Sequence, residues 1–455
     1  MNAQLSHAEN QAHSLSPQPP TPPAAATKSG QKVMVILSVC MALQMTSYVM
    51  ILPLFARRFS ELGAGVQSLG VSAMAFALAA TLAAPFMGTL ADRYGRRPVV
   101  MLSLAAYVLA FTGYLFATSV PAFFVLRALA GAFTAGLVPA VNGIAADLAP
   151  ADRRAQWLGI VSGGTATGWI AGPVLGGLLY DHWGYEVALI VAIGIAVATF
   201  STAFLTVPET HKNHAEGTGR ALQNERWMRI VDLKSSLSVF QGTLPGSLSS
   251  FLFLLCICFA VMFAWAFIEP GFMFYTYNDL GWSSSMLGLV MSTYGTALML
   301  GEVGLGHLSD RLGRKSVIVL GSALFSAQFI GLAFFRNYVL IAATFVVGGL
   351  GNALYDPALS ASILDIAPKE HQARALGLKS MAGSLGNILG PALVVLVAPF
   401  VKAQGIFLIS VGIVLLSVLI GLAGNFEGHP SRAASRPAIP DGLSTRTSKT
   451  IEKEI

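Results

Sequence analysis

A ten-residue stretch occurs twice in this chain and limits the folds open to it. Residues 88–97 read Gly-Thr-Leu-Ala-Asp-Arg-Tyr-Gly-Arg-Arg, and residues 306–315 read Gly-His-Leu-Ser-Asp-Arg-Leu-Gly-Arg-Lys. The copies are 218 residues apart, and each lies between two long apolar segments. The same offset relates Gly131 to Gly349, Asp147 to Asp365, Pro150 to Pro368, Gly159 to Gly377, Gly168 to Gly386, and Gly172-Pro173 to Gly390-Pro391. An offset held over so many positions marks an internal duplication, in which each copy is one structural unit.

The apolar segments set the environment. The 455-residue chain is 54% hydrophobic and 11% charged, against about 25% charged in soluble domains. Apolar runs of about 20 residues, the length of a bilayer-crossing helix, recur throughout. Twelve spans are predicted. The first six are 33–56, 68–90, 98–119, 121–147, 153–180 and 185–207; the second six are 250–276, 283–307, 316–335, 338–365, 372–398 and 403–425. The predicted fold class is all-α integral membrane, with twelve transmembrane helices in two six-helix bundles, 33–207 and 250–425. Six spans is an even number, so each bundle starts and ends on one side. The bundles are then parallel repeats about an axis along the membrane normal. Residues 1–32 and 426–455 read as polar cytoplasmic tails, the first one disordered, and 208–249 as a cytoplasmic linker. Within the linker, Trp227, Met228, Ile230, Val231 and Leu233 alternate with Arg226, Arg229 and Lys234. That pattern suits a helix lying on the membrane surface or a solvated linker. No signal peptide is expected ahead of the first apolar run, which begins near Val33.

The net charge of +6 does not point to nucleic acid, because the basic residues are spread through the loops. Arg57, Arg58, Arg336 and Lys402 fall on one side, Arg127 and Lys379 lie within spans, and the other 22 of the 28 Lys and Arg fall on the side of the termini. Cytoplasmic loops carry the basic excess, so both termini are predicted to be cytoplasmic. Cys40, Cys256 and Cys258 all lie in apolar segments and offer no disulfide framework or metal spacing. The glycines of 88–95 are followed by arginine rather than Gly-Lys-Ser/Thr, so no phosphate-cradling loop is present and no ATP hydrolysis is expected. No enzymatic activity and no cofactor are expected.

A charge at the bilayer centre costs about 3 kcal/mol or more, so each ionisable residue inside a span is a candidate functional site. There are five: Arg127, Glu269, Glu302, Asp356 and Lys379. Helical rise places Arg127 in the outer half of segment 4, and Glu302, Asp356 and Lys379 about 12–14 Å in from the cytoplasmic boundary. Glu302 and Lys379 are predicted to pair, leaving Asp356, beside Tyr355 and Pro357, as an unpaired carboxylate. Glu269 precedes Pro270, which disturbs segment 7. Asp356 and Glu269 are the leading proton-coupling candidates, joined by Arg127 and Glu302. Segment 1 carries no acid. Gln44, Tyr48, Phe263, Phe267, Tyr355 and Asn352 are the candidate cavity residues. In the repeated loops, Arg96–Asp147 and Arg314–Asp365 are predicted ion pairs. With Gly88, Asp92, Arg93, Gly95 and Asp310 they would latch neighbouring helices when the cytoplasmic end is closed; alternatively the charges only set topology.

On these residues the chain resembles the major facilitator superfamily and, within it, the twelve-helix drug:proton antiporter family, over about residues 33–425. The loop pattern G-x-L-a-D-R-x-G-R-R/K occurs twice. Gly168, Gly172-Pro173 and Gly176-Gly177 are similar to the family's antiporter motif G-x-x-x-G-P-x-x-G-G. Arg127 and Gly131 resemble its R-x-x-Q-G motif, with Ala130 in place of the glutamine. The resemblance implies alternating access and proton-coupled efflux of lipophilic or cationic small molecules by a monomer in a bacterial inner membrane. It implies that Arg127 is a proton-relay or cavity residue and that the segment-5 glycines form a tight seam. The partners would be a small-molecule substrate, protons and the lipid bilayer. The alternative is a uniporter or symporter for a sugar, amino acid or lysophospholipid.

Overall fold

The computed structural model describes residues 28–150, 153–210, 247–305, 308–368 and 371–424. The amphipathic stretch from Arg226 to Lys234 and most of the two tails lie outside the described residues. The helices are α1 Lys28–Glu61, α2 Val66–Tyr94, α3 Arg96–Phe116, α4 Val120–Leu148, and then a 53-residue run, Arg154–Thr206. That run turns at Gly184 (φ 83°, ψ −178°), and the apolar stretches on either side are each long enough to cross the bilayer. It therefore counts as two helices, α5 (154–183) and α6 (185–206). The second half holds α7 Ser247–Asn278, α8 Ser284–Leu305, α9 Arg314–Phe334, α10 Tyr338–Ile366, α11 Gln372–Val397 and α12 Ala403–Ala423. No strand occurs among the described residues.

Local chemistry fixes the helix ends. Asn337 caps α10, its Oδ1 accepting from the Val339 and Leu340 amides at 2.9 and 3.3 Å. Gly95 (φ 103°) and Gly313 (φ 83°) precede α3 and α9. Only glycine adopts that left-handed backbone freely, which accounts for one glycine in each copy of the loop motif.

The duplication extends to individual contacts. Gly131 of α4 packs on the Phe76 carbonyl of α2, and Gly349 of α10 on the Tyr294 carbonyl of α8. Gly168 and Gly172 of α5 pack on α1 at Met45, Thr46 and Val49; Gly386 and Gly390 of α11 pack on α7 at Phe263 and Phe267. Residues 76 and 294, 45 and 263, and 49 and 267 are all 218 apart. Without a hydrophobic drive between helices in lipid, close backbone packing at small residues holds each bundle together.

The same symmetry governs how the halves meet. They touch mainly along two seams, α5 on α8 and α2 on α11. Gly288 of α8 sits on the Pro173 carbonyl, and Gly70 of α2 sits on the Pro391 carbonyl, where an added Cβ would stand 3.2 Å from the oxygen. Glycines and prolines are again 218 apart. Along α5 and α8, Gly177 packs on Ser284 and Ser285, and Ser292 donates to the Ile170 carbonyl at 2.5 Å. All these contacts lie at the end of the molecule away from the chain termini. Toward the termini the faces part: a Cβ on Gly159 or Gly163 of α5, Gly88 of α2 or Gly377 of α11 meets nothing within 4 Å. A cleft therefore opens between the halves at the termini end and is sealed at the far end.

A polar lock covers the sealed end. Asp181, where α5 ends, accepts the Ser284 and Ser285 amides at 2.9 and 2.8 Å, capping the first turn of α8 across the half boundary. A carboxylate at a helix N-terminus satisfies free amides and favours the dipole. Arg57 of α1 donates to the Trp282 carbonyl at 2.8 Å and lies 4.0 Å over the Tyr277 ring, and Tyr277 donates to the Pro53 carbonyl at 3.2 Å. Both Tyr277 and Trp282 belong to the opposite half.

Two substitutions test this closure. Losing the Asp181 cap removes about 1 kcal/mol, a shift of roughly fivefold toward the open far end. In Gly288→Val the added side chain collides with the Pro173 carbonyl. Both are expected to raise labelling of a cysteine placed at the buried Leu69 by an impermeant maleimide from the far side. Unaltered labelling in both would refute the assignment of these contacts as the closure.

Candidate functional site

The five ionisable residues inside spans break the repeat. Positions 218 away from Arg127, Glu269, Glu302, Asp356 and Lys379 hold Phe345, Ile51, Ala84, Val138 and Val161. The duplication supplies the scaffold, and each of these charges stands in one half without a charged counterpart in the other.

Arg127 and Glu269 come from opposite halves. Arg127, two turns into α4 from the far end, is 6% exposed. Its guanidinium turns inward onto aromatic faces, 4.6 Å from the Phe76 ring centre and 5.2 Å from that of Phe55, rather than reaching out to the interface. Tyr48 stacks on Phe76 at 5.9 Å and meets Tyr107 edge-on at 5.8 Å. Tyr48 and Tyr114 stand within electrostatic reach of the guanidinium, and so does Glu269 of α7. Neither Arg127 nor Glu269 has an ion pair within 4 Å among the described residues. The arrangement is a partly exposed carboxylate facing a cation held in an aromatic wall.

Lys379 does not meet Glu302, contrary to the sequence expectation. Its Nζ lies 2.6 Å from Asp356 Oδ1 and 2.7 Å from Ser360 Oγ. Helices α10 and α11 are packed neighbours, and Lys379 is directed at α10 rather than at α8. Asp356 is therefore a paired carboxylate, 47% exposed against 14% for Lys379. Among the described acids inside spans of the second half, Glu269 and Glu302 have no ion pair within 4 Å. Glu302 is exposed on α8, close enough to feel the Asp356 charge, with no cation within 4 Å among the described residues.

In the loop motifs, Arg96 pairs with Asp147 and also donates to the Gly143 carbonyl, and Arg314 pairs with Asp365. Both pairs are made with the termini end open, and each joins helices of one half; neither crosses the cleft. That differs from a latch that forms only on closure. Asp92 and Arg93 are exposed, Gly88 faces open space, and the Asp310 side chain lies outside the described residues. Sequence reasoning missed Glu209, whose carboxylate accepts the Arg96 and Arg97 amides at 3.2 and 3.1 Å, and Thr210, which donates to Asp147 at 3.1 Å. The signal was available: Glu427 stands at the same 218 offset from Glu209.

The expected cavity residues divide. Gln44, Phe267 and Tyr355 have no exposed surface and so offer none to the cleft. Tyr48 and Phe263 are half-buried, and Asn352 donates to the Tyr294 hydroxyl at 3.0 Å, with Tyr294 stacked on Trp265 at 5.8 Å. On α5, Gly168, Gly172 and Gly176 face α1 within their own half, so they do not form the seam between halves. The Pro173 carbonyl and Gly177 do.

The charge pair on α10 and α11 yields a test. Asp356→Ala strands a largely buried ammonium, whereas Asp356→Ala with Lys379→Ala removes both charges. Thermal unfolding in detergent should show the single variant less stable than the double one, by about 1 kcal/mol after allowing for the half-open carboxylate. A double variant less stable than the single would contradict the pairing.

Comparison with known proteins follows this geometry. The Major Facilitator Superfamily profile matches residues 34–277 and 254–451. A multi-drug resistance efflux pump PmrA homolog of Lactococcus lactis is 28% identical over 348 residues, 75% of this chain and 81% of that protein. The class B tetracycline resistance protein of Escherichia coli is 27% identical over 368 residues, 80% and 87% of the two chains. Among solved structures, a bacterial homolog of the human lysosomal transporter Spinster, in an inward-facing conformation, superposes with a TM-score of 0.69 at 15% identity, covering 89% of this chain and 98% of that one. The human organic anion transporter MFSD10 gives 0.62 at 20% identity over 89% and 100%. The shared fold, the doubled loop motif and a profile match running through both halves lead to one conclusion: this multi-pass membrane chain belongs to the major facilitator superfamily.

Proposed function

We propose that this chain is a secondary active transporter that exchanges protons for lipophilic cationic small molecules by alternating access, exporting the latter across the inner membrane. The observation that carries the reading is Glu269, an acid without an ion pair that faces Arg127 across the two halves beside Tyr48 and Phe76. A carboxylate in a low-dielectric site of this kind can take up and release a proton as its surroundings change. The aromatic wall offers a face to flat cations. The 22 of 28 basic residues on the termini side support a cytoplasmic assignment of that side, on which the open end faces inward. The relatives named as a multi-drug efflux pump and a tetracycline resistance protein support export of small toxic compounds.

Everted membrane vesicles energised to an acid lumen and given ethidium from outside provide the test. Uptake into vesicles carrying the chain should exceed that of control vesicles severalfold and collapse on addition of a protonophore. Glu269→Gln should abolish gradient-driven uptake while leaving the protein folded. Uptake indifferent both to the gradient and to Glu269→Gln would defeat the proposal.

A further inference from the structure

Glu302 sits at a position that the two states of the cleft treat oppositely. On α8, residues 284, 288, 292 and 295 form one helical face, and all four are buried. They meet α5 in an antiparallel register: Ser284 on Gly177, Gly288 on Pro173, Ser292 on Ile170, Gly295 on Trp169 and Ile170. At 100° per residue, the same face continues through residues 299 and 302. Met299 and Glu302 are exposed, because here the seam has opened. Continuing the register places Glu302 opposite residues 159–163 of α5, which read Gly-Ile-Val-Ser-Gly. Gly159, Ser162 and Gly163 are exposed in the cleft, and the two glycines have no neighbour at the Cβ position.

Closing the termini end by the same close packing that seals the far end would press Glu302 onto this glycine-lined face. That stretch of α5 contains no titratable residue and no cation. Among the described residues, the nearby charged groups are Asp356 of α10, which repels a second carboxylate, and Lys379 of α11, already bonded to Asp356 and Ser360. On its own helix Tyr294 is the only titratable neighbour, and its hydroxyl accepts from Asn352. An ionised Glu302 would thus be buried without a partner, which is strongly unfavourable. A neutral one would not.

We infer that Glu302 is the closure checkpoint of the cytoplasmic seam: α5 and α8 come together there only when its charge is neutralised, by a proton or by a lipophilic monocation seated against it. The inference deepens the proposed exchange and rests on it. Either cargo alone lets the carrier reorient, whereas the empty, ionised carrier stays open. A carrier that cannot return empty exchanges one cargo for the other without leak.

The test reads conformation directly and needs no transport assay. In full-length protein with Cys40, Cys256 and Cys258 replaced, spin labels go on cysteines at the exposed Gln156 and Leu312, and their distance distribution is measured in nanodiscs from pH 5 to pH 9. The parent should move from a long to a short distance as pH falls, and at pH 9 tetraphenylphosphonium should raise the short-distance fraction at least threefold. Glu302→Gln should populate the short distance across the whole range, and Glu302→Asp should restore the pH dependence. A Glu302→Gln protein whose distances match the parent at every pH overturns the checkpoint and leaves the transport reading standing. A parent that stays at the long distance at every pH, with and without the cation, overturns alternating access itself. A response to pH but not to tetraphenylphosphonium refutes the shared site for cation and proton.

Discussion

Two backbone contacts carry the association of the halves: Gly288 on the Pro173 carbonyl and Gly70 on the Pro391 carbonyl. Each needs a residue without a Cβ on one helix, so that the backbone of the proline-containing turn of the other can come close. Proline cannot donate to the helix ladder, and it loosens the turn around it. In lipid, such close approach is the main source of helix association, so the seam can hold without apolar burial from water. Because the contact is local, it can be lost at one end while the rest of each bundle stays rigid. The proposed rocking between two seams would use that geometry.

The symmetry of the scaffold and the asymmetry of its charges divide the labour. Bundle packing, loop turns and seam contacts repeat at 218 residues. Arg127, Glu269, Glu302, Asp356 and Lys379 have apolar counterparts, and the Asp181 cap on α8 has none described at the α2–α11 seam. In the proposed exchange the symmetric seams would supply two states of similar packing, and charges without counterparts would let a ligand or proton choose between them. A ligand shifts such an equilibrium only through differential interaction with the two states.

Much of this was legible in the chain. Span count, parallel repeat and both loop ion pairs follow from residue type and spacing, since a bilayer forces backbone polar groups into helices and a fixed offset forces equivalent neighbours. The partner of Lys379 was not legible. Two acids, Glu302 and Asp356, lay at the depth of Lys379, and depth along a helix says nothing of which way a side chain turns. The same limit applies to the segment-5 glycines: spacing by four puts Gly168, Gly172 and Gly176 on one face, but not which helix that face meets. Glu209 was overlooked because an acid just past a span reads as a solvated loop charge until its carboxylate is seen on the amides of α3.

By itself the sequence determined the membrane environment, the twelve crossings, the duplicated halves and the list of intramembrane charges. These depend on composition and periodicity, which are one-dimensional properties. Tertiary structure alone decided which end is sealed, that Asp356 is paired with Lys379, and that Glu302 lies on the face of α8 that meets α5. Those depend on helix rotation and on the tilt of one half against the other, and neither has a signature along the chain.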